Sequence, residues 1–259
     1  MITEYHRPQT LEEALKLLTA PNTRPLGGGT VLTHPGGESF AVVDLQALGL
    51  DKLHKSGNNL GIGATVPLQA LLESPHTPKA LKTALKLEAP LNLRTMGTVA
   101  GALVTCDGRS PFAAVMLALD ANITLAPGTE QITLGNYLPI RVEADAVRPS
   151  KRRSPLQGKL ITKIKIPLNV KLAFETVARS PADKPIVCAA LAQWPSGRTR
   201  LVIGGWGSSP SVAMDGNEPS GVEDAARNAA HDAADQWASA EYRSAIAAVL
   251  AKRCLEHLS

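Results

Sequence analysis

The sequence predicts an α+β fold in two parts, and three observations carry that expectation. Short apolar runs bounded by turn residues recur through the first half of the chain, at residues 41–45, 60–65, 123–125 and 132–134. A polar, basic, proline-interrupted stretch at 147–158 then divides the chain. Further strand-like segments follow, and residues 222–257 close it with an alanine-rich helical pattern that breaks near Ser239. Strands succeeded by a block of helices argue an α+β architecture over a doubly wound sheet. With 259 residues the chain has room for two domains, expected at 1–157 and 158–259. The first is expected to divide again near residue 54, and the second to be an α/β sandwich of a small sheet with packed helices.

The elements follow in order. Residues 10–18 read as an amphipathic helix, with Thr10 as N-cap and Glu13 three residues later at capping-box spacing. Residues 5–8 lead into it as a short strand and turn. Residues 24–26 form a strand that runs straight into Gly27-Gly28-Gly29-Thr30, and 41–45 and 60–65 are the next strands. Helices are expected at 68–72 and at 78–87, the latter stopped before Pro90. The Gly/Ala-rich segment 95–104 reads as a buried turn or strand, and 112–119 as a buried helix or strand. Ile123-Thr124-Leu125 and Ile132-Thr133-Leu134 flank a Pro-Gly turn and predict a hairpin. Residues 159–167 alternate apolar and basic side chains, the pattern of a half-exposed strand. Segments 186–193 and 198–205 pair around Pro195-Ser196-Gly197.

Composition narrows the function. Hydrophobic residues make up 44% and charged residues 19%, ordinary for a soluble globular protein. The formal net charge is +4, and the dense basic cluster of Arg148, Lys151, Arg152 and Arg153 lacks interleaved aromatics. That argues against nucleic acid and leaves a solvated loop or a docking surface for an acidic partner. Cys106, Cys188 and Cys254 lie far apart, with no CxxC pair, so neither an iron–sulfur cluster nor a zinc site is expected. The histidines are equally scattered. No apolar run reaches the roughly 20 residues needed to span a bilayer, and the first residues lack the order of a signal peptide. A cytoplasmic protein is expected, with any redox cofactor organic and bound without metal ligands.

Two segments carry the chemistry. In Gly27-Gly28-Gly29-Thr30-Val31-Leu32 the absence of Cβ atoms lets backbone approach a phosphate, and successive N–H groups can converge on an anion. A plain turn between strands explains the same residues. Neither familiar nucleotide motif fits: no Gly-Lys-Ser/Thr follows, and Thr33-His34-Pro35-Gly36-Gly37 breaks any helix that a dinucleotide fingerprint would open. The second segment, Arg94-Thr95-Met96-Gly97-Thr98-Val99-Ala100-Gly101-Ala102-Leu103, again joins small residues to hydroxyl donors. Two such segments suggest the two sides of a diphosphate cleft, although close strand packing is an equal explanation. No acid–base dyad or nucleophile constellation is evident, and no catalytic or metal-ligating residue is expected.

Taken in order, Tyr5…Arg7-Pro8…Leu11-Glu12-Glu13-Ala14-Leu15, the Gly27–Thr30 loop, Val43-Asp44-Leu45, Leu60-Gly61-Ile62-Gly63-Ala64 and the Arg94-led segment resemble the FAD-binding subunits of molybdenum hydroxylases. Residues 158–167 resemble that family's link into its C-terminal domain, and 238–243 with 249–253 resemble its closing helices. The resemblance covers nearly the whole chain. It implies a two-subdomain FAD-binding region at 1–157, FAD held by Gly27, Gly28, Gly29, Thr30 and Leu32 and by Thr98, Gly101 and Asp107, and a flavin ring facing the C-terminal domain. There Arg179 and Asp183 match a charged strand and turn that is read as structural. It further implies a molybdopterin-binding large subunit and a 2Fe–2S small subunit as partners, with electrons passing through FAD to an acceptor.

Three positions depart from the family pattern. Ala102 stands where an amide is usual, Pro111 where an acid is usual, and Val31 follows the first loop's threonine. Asp107, Ser110 and Arg109 are the expected compensations, Arg109 by pairing with a phosphate. Each lost hydrogen bond costs about 0.5–1.5 kcal/mol, so three weaken binding about a hundredfold. No aromatic is obvious for stacking on the isoalloxazine ring: Tyr137, Trp206 and Phe174 are the candidates, and each is read first as a core residue. The principal expectation is therefore an electron-transfer flavoprotein subunit. The competing expectations are a flavin-free paralogue that scaffolds assembly, and a stand-alone FAD oxidoreductase.

Overall fold

The chain opens on a short parallel sheet. In the computed structural model, which describes residues 1–32, 39–146 and 158–258, β1 (Ile2–His6), β2 (Thr23–Leu26) and β3 (Phe40–Asp44) pair in the order β1-β3-β2. Helix α1 (Leu11–Leu18) makes the crossover. The Thr10 hydroxyl accepts from the Glu13 amide at 3.2 Å, and the Glu13 carboxylate accepts from the Gln9 amide at 3.1 Å. The capping box is thus formed with its return bond one residue early. Ala14 and Leu18, four apart on one helical face, pack with Val43, Leu45 and Leu160 into a small core.

A larger antiparallel sheet follows. β4 (Leu53–Ser56), β5 (Asn59–Gly63), β6 (Asn122–Ala126), β7 (Glu130–Thr133) and β8 (Leu160–Pro167) run in the order β4-β5-β8-β6-β7. The β6–β7 pair is the predicted hairpin, with Gly128 at φ +82° in its turn. β8 buries Ile164 and Ile166 and exposes Lys163 and Lys165, the alternation read from the sequence. It pairs with β5 on one side and β6 on the other. The strand that the sequence division put first in the C-terminal unit is therefore hydrogen-bonded into the middle of this sheet.

Between β5 and β6 the chain forms α2 (Leu68–Glu73), α3 (Lys79–Glu88), α4 (Leu91–Arg94), α5 (Val99–Thr105) and α6 (Pro111–Ala118), and α7 (Leu134–Ala146) follows β7. Most of segment 95–104, expected as a buried turn or strand, is helical. Thr98 caps α5 by accepting from the Gly101 amide at 3.1 Å, and the buried Val99 and Leu103 are spaced by four. Gly and Ala between them hid that period. The polar, basic stretch 147–157 lies outside the described residues, and so does its Arg148, Lys151, Arg152 and Arg153 cluster.

The third sheet is antiparallel: β9 (Lys171–Val177), β10 (Val187–Gln193), β11 (Thr199–Gly204) and β12 (Ser211–Gly216), in the order β12-β11-β10-β9. β10 and β11 pair around Gly197 as predicted. Helices α8 (Val222–Ala229) and α9 (Ala240–Leu258) cover one face. Successive residues of a strand point to opposite faces, and β10 shows what each face meets. Val187, Ala189 and Leu191 join the core beneath α8 and α9, whereas Cys188, Ala190 and Ala192 join Phe112 and Met116 of α6. Helix α6 is accordingly buried at every position, the state expected of a helix that is apolar all round. The C-terminal sheet is thus packed on the rest of the molecule through α6.

Polar contacts join the two halves as well. Asp120, just past α6, accepts from Arg198 at 2.9 Å and from Arg200 at 2.7 Å, and Asp215 of β12 accepts from both arginines. These arginines hold the Asp215 carboxyl down to about 2. Within the C-terminal unit the fully buried Arg243 donates to the Ile186, Ala233 and Gly205 carbonyls and the Asp235 carboxylate. That supplies the partners a buried charge requires.

Candidate cofactor site

The first glycine-rich loop leaves the carboxyl end of parallel strand β2, the end at which open parallel sheets bind ligands. Its path needs glycine at two positions for different reasons. Gly29 sits at φ +70°, in the left-handed region. At Gly28 a Cβ would lie 1.8 Å from the Met96 carbonyl oxygen, so only glycine lets this loop touch the second segment. Among the described residues, no protein acceptor takes the amide N–H of Gly27 or Gly28.

The second segment is pinned to the five-stranded unit. Val99 donates to the Val66 carbonyl at 2.9 Å, Ala100 to the Ala64 carbonyl at 3.1 Å, and Leu68 to the Gly97 carbonyl at 2.9 Å. These bonds hold Thr98 where its hydroxyl both caps α5 and faces the first loop. A Cβ at Gly27 or at Gly101 would come within 2.8 Å of that Thr98 oxygen.

A cavity of about 680 Å³ opens between the parallel sheet and the five-stranded unit, within the usual 300–1,000 Å³ range of ligand pockets. Gly27, Gly28, Gly29, Thr30, Val31 and Leu32 line one side, and Thr98, Gly101, Val104 and Thr105 line another from a single face of α5. Arg24, Arg141 and Lys159 also line it, with no carboxylate among the described lining residues. Arg24 stacks on Phe40 at 4.4 Å, Lys159 pairs with Glu130 at 2.8 Å, and Arg141 is buried. Close backbone approach, amide donors and a cationic lining suit a phosphate-bearing ligand.

Of the residues singled out from the sequence, the structure gathers Gly27, Gly28, Gly29, Thr30, Leu32, Thr98 and Gly101 at this cavity. Asp107 is not among the lining residues. It accepts from the Arg109 amide at 2.9 Å and from Lys184 at 2.7 Å, at the seam with the C-terminal sheet. Arg109 is spent there too, donating to the Pro185 and Lys184 carbonyls and lying 4.7 Å over the Trp237 ring. Ser110 is buried as the N-cap of α6, accepting from Ala113 and donating to Glu88. The three expected compensations therefore serve the fold.

Two of the three departures, Ala102 and Pro111, also lie off the cavity lining. Ala102 packs on the main core and Pro111 opens α6, while Val31 does line the cavity. Arg179 pairs with Asp183 at 3.4 Å, away from this cavity. Phe174 is buried in the core and Trp206 lies against Arg243, so of the aromatics considered only Tyr137 reaches the cavity. Sequence reasoning missed Arg24, Arg141 and Lys159. For Arg141 no signal was available, because α7 carries Pro139 in its middle and shows no clear period.

Four similarities give this site its context. The family model for the FAD binding domain in molybdopterin dehydrogenase matches residues 1–169. Protein YgfM of Escherichia coli (strain K12) is 27% identical over 259 residues, covering 96% of this chain and 94% of the relative. The carbon monoxide dehydrogenase medium chain of Afipia carboxidovorans is 26% identical over 289 residues, covering 98% and 95%. In three dimensions the chain resembles one from the cyanide-inactivated Cu,Mo-CO dehydrogenase, with a TM-score of 0.79 and 24% identity over 100% of this chain and 98% of that one. The span matched by the family model holds both glycine-rich segments and every strand of the first two sheets. The chain belongs to the family of FAD-binding domains of molybdopterin dehydrogenases.

Proposed function

We propose that this chain is the FAD-binding electron-transfer subunit of a molybdenum hydroxylase complex. The observation that carries the reading is the cavity itself, bounded by both glycine-rich segments and lined by cations, with no carboxylate among the described lining residues. Its residues fit a flavin dinucleotide: the Cβ-free cradle and the amides of Gly27 and Gly28 suit a diphosphate. On this reading Gly27, Gly28, Gly29, Thr30, Leu32, Thr98 and Gly101 hold FAD and Asp107 does not. The cofactor-holding unit then extends through β8 to Pro167.

Bound FAD supplies two-electron and one-electron redox chemistry, while the protein binds, orients and tunes it. Substrate oxidation would belong to a molybdopterin-binding large subunit and the relay to a 2Fe–2S small subunit. The medium-chain name of the Afipia relative supports such partners. The cysteines of this chain agree with clusters lying elsewhere. Burial pushes the thiol of Cys106 up to about 11 and those of Cys188 and Cys254 up to about 12, away from the thiolate that ligation needs. No helix among the described residues is long and apolar enough to cross a membrane, and we place the complex in the cytoplasm.

Anaerobic reduction of the FAD-loaded chain, followed by addition of NAD, a quinone or oxygen in turn, tests electron transfer. Return of the oxidised flavin spectrum with one acceptor is the expected result. A loaded chain that none of them re-oxidises contradicts the proposed role and favours a scaffold.

A further inference from the structure

Thr65 lines the cavity with only 9% of its surface exposed, and its hydroxyl makes no hydrogen bond to any described residue. Other threonines of the lining are engaged. Thr98 accepts from the Gly101 amide at 3.1 Å, and Thr105 donates to the Gly101 carbonyl at 2.9 Å. The Thr65 oxygen is not sealed in the core either, so it opens on the cavity that the residue lines.

The backbone fixes where this hydroxyl stands. Thr65 comes just after β5, and its amide donates to the Leu50 carbonyl at 3.0 Å. On either side of it, the Ala64 carbonyl accepts from Ala100 at 3.1 Å and the Val66 carbonyl accepts from Val99 at 2.9 Å. Thr65 is therefore held beside the first turn of α5, the helix whose cap, Thr98, faces the first glycine loop. Its β-branched side chain is stiff at χ1, so few positions are open to the hydroxyl.

A ligand that fills a cavity displaces water from its walls, and a hydroxyl then left without a partner carries the full cost of its desolvation. On the reading that the cavity holds FAD, the part of the ligand that meets this wall has to offer Thr65 an oxygen. The central chain of the dinucleotide, its diphosphate with the sugar unit on each side, is rich in such oxygens. We propose that Thr65 is a further FAD-binding residue, whose hydroxyl donates to an oxygen of that central chain. The fold itself does not use this donor, because no described group of the protein receives it.

The test uses the full-length chain and compares wild type with T65V, T65S and T65A. Fluorescence quenching gives the affinity for FAD, and urea unfolding gives the stability of the FAD-free chain. T65V keeps the branched shape and loses the hydroxyl. It is expected to bind FAD about tenfold more weakly, a difference of about 1.4 kcal/mol, with the FAD-free chain no less stable than wild type. T65S keeps the hydroxyl and is expected to bind near wild type. A T65V chain that binds FAD as tightly as wild type, or more tightly, overturns the proposal, because the hydroxyl then has no partner on the ligand. A FAD-free T65V chain destabilised by as much as its affinity falls also overturns it, since the hydroxyl then serves the fold. If T65V fails to fold, T65A against T65S isolates the hydroxyl, both lacking the methyl group. Weaker binding by T65A supports the proposal and equal affinities overturn it. A wild-type chain that takes up no FAD contradicts the proposed function itself, whereas normal uptake with T65V unaltered contradicts only the role of Thr65.

Discussion

At the scale of single residues, the site depends on atoms that are absent. The Gly28 backbone lies so close to the Met96 carbonyl that a methyl group has no room. Gly28→Ala is therefore expected to push the two loops apart, costing about 1–3 kcal/mol as overpacking does and weakening FAD binding at least tenfold. Urea unfolding and a flavin fluorescence titration check the two effects, and a variant that keeps wild-type affinity contradicts the cradle. The glycine run was legible in the sequence because three consecutive glycines have few purposes. Asp107 lies off the cavity lining, at a position the sequence does not reveal. A carboxylate beside Gly and Arg looks the same in sequence whether it faces a ligand or pairs with Lys184 across a seam. Arg141 was invisible because its position depends on which carbonyls α7 brings it against.

At the scale of elements, legibility followed pattern strength. α1 announced itself through Thr10 and Glu13, and β8 through its Ile/Lys alternation. β10 reads Val-Cys-Ala-Ala-Leu-Ala, which has no polar side because both faces are covered, and it was found from its neighbouring turn. α5 was read as a turn or strand since Gly and Ala mask a period of 3.6. On β12, Asp215 makes the β11–β12 pair sensitive to acid. Hydrogen bonds from Arg198 first, and from Arg200, lower its pKa from 3.8 to about 2. A lowered carboxyl contributes stability that is present above 3.8 and is lost as pH falls towards about 2. The stability difference between wild type and Asp215→Asn should be about 1 kcal/mol at neutral pH, allowing for partial exposure. It should shrink through that acid window in a pH series of urea melts, and a difference independent of pH would count against the assignment.

Glu88 behaves in the opposite sense. Desolvation raises its carboxyl above 4.5 although it accepts from Phe112 and Ser110 at the start of α6. A raised pKa favours the protonated, folded form, so its contribution is fullest below 4.5 and declines as pH rises through the raised value. Glu88→Gln should consequently gain stability relative to wild type as the pH is raised from 4 to 8. The same melts read the sign, and a relative loss over that range would refute it.

At the scale of the molecule, two layers meet on one helix. α6 is buried between the five-stranded unit and the C-terminal sheet, and Asp120 at its end is pinned by Arg198 and Arg200. The two-part α+β architecture was foreseeable from the order of strands and helices. The seam was not, because β8 and α6 lie apart in sequence from the elements they join. Asp120→Asn is expected to remove about 1–3 kcal/mol by leaving two arginines short of a carboxylate. It should do so while keeping one cooperative transition, since the shared core around α6 remains. Two separate transitions in calorimetry would show that the ion pairs, rather than the core, unite the halves.

The proposed function stands or falls on whether the cavity between the parallel sheet and the five-stranded unit holds FAD. The most direct measurement is the visible spectrum of the full-length chain after incubation with excess FAD and gel filtration. A flavin spectrum that elutes with the protein at one FAD per chain and is lost in Gly28→Ala is expected. A folded, colourless protein that emerges free of added FAD would contradict it.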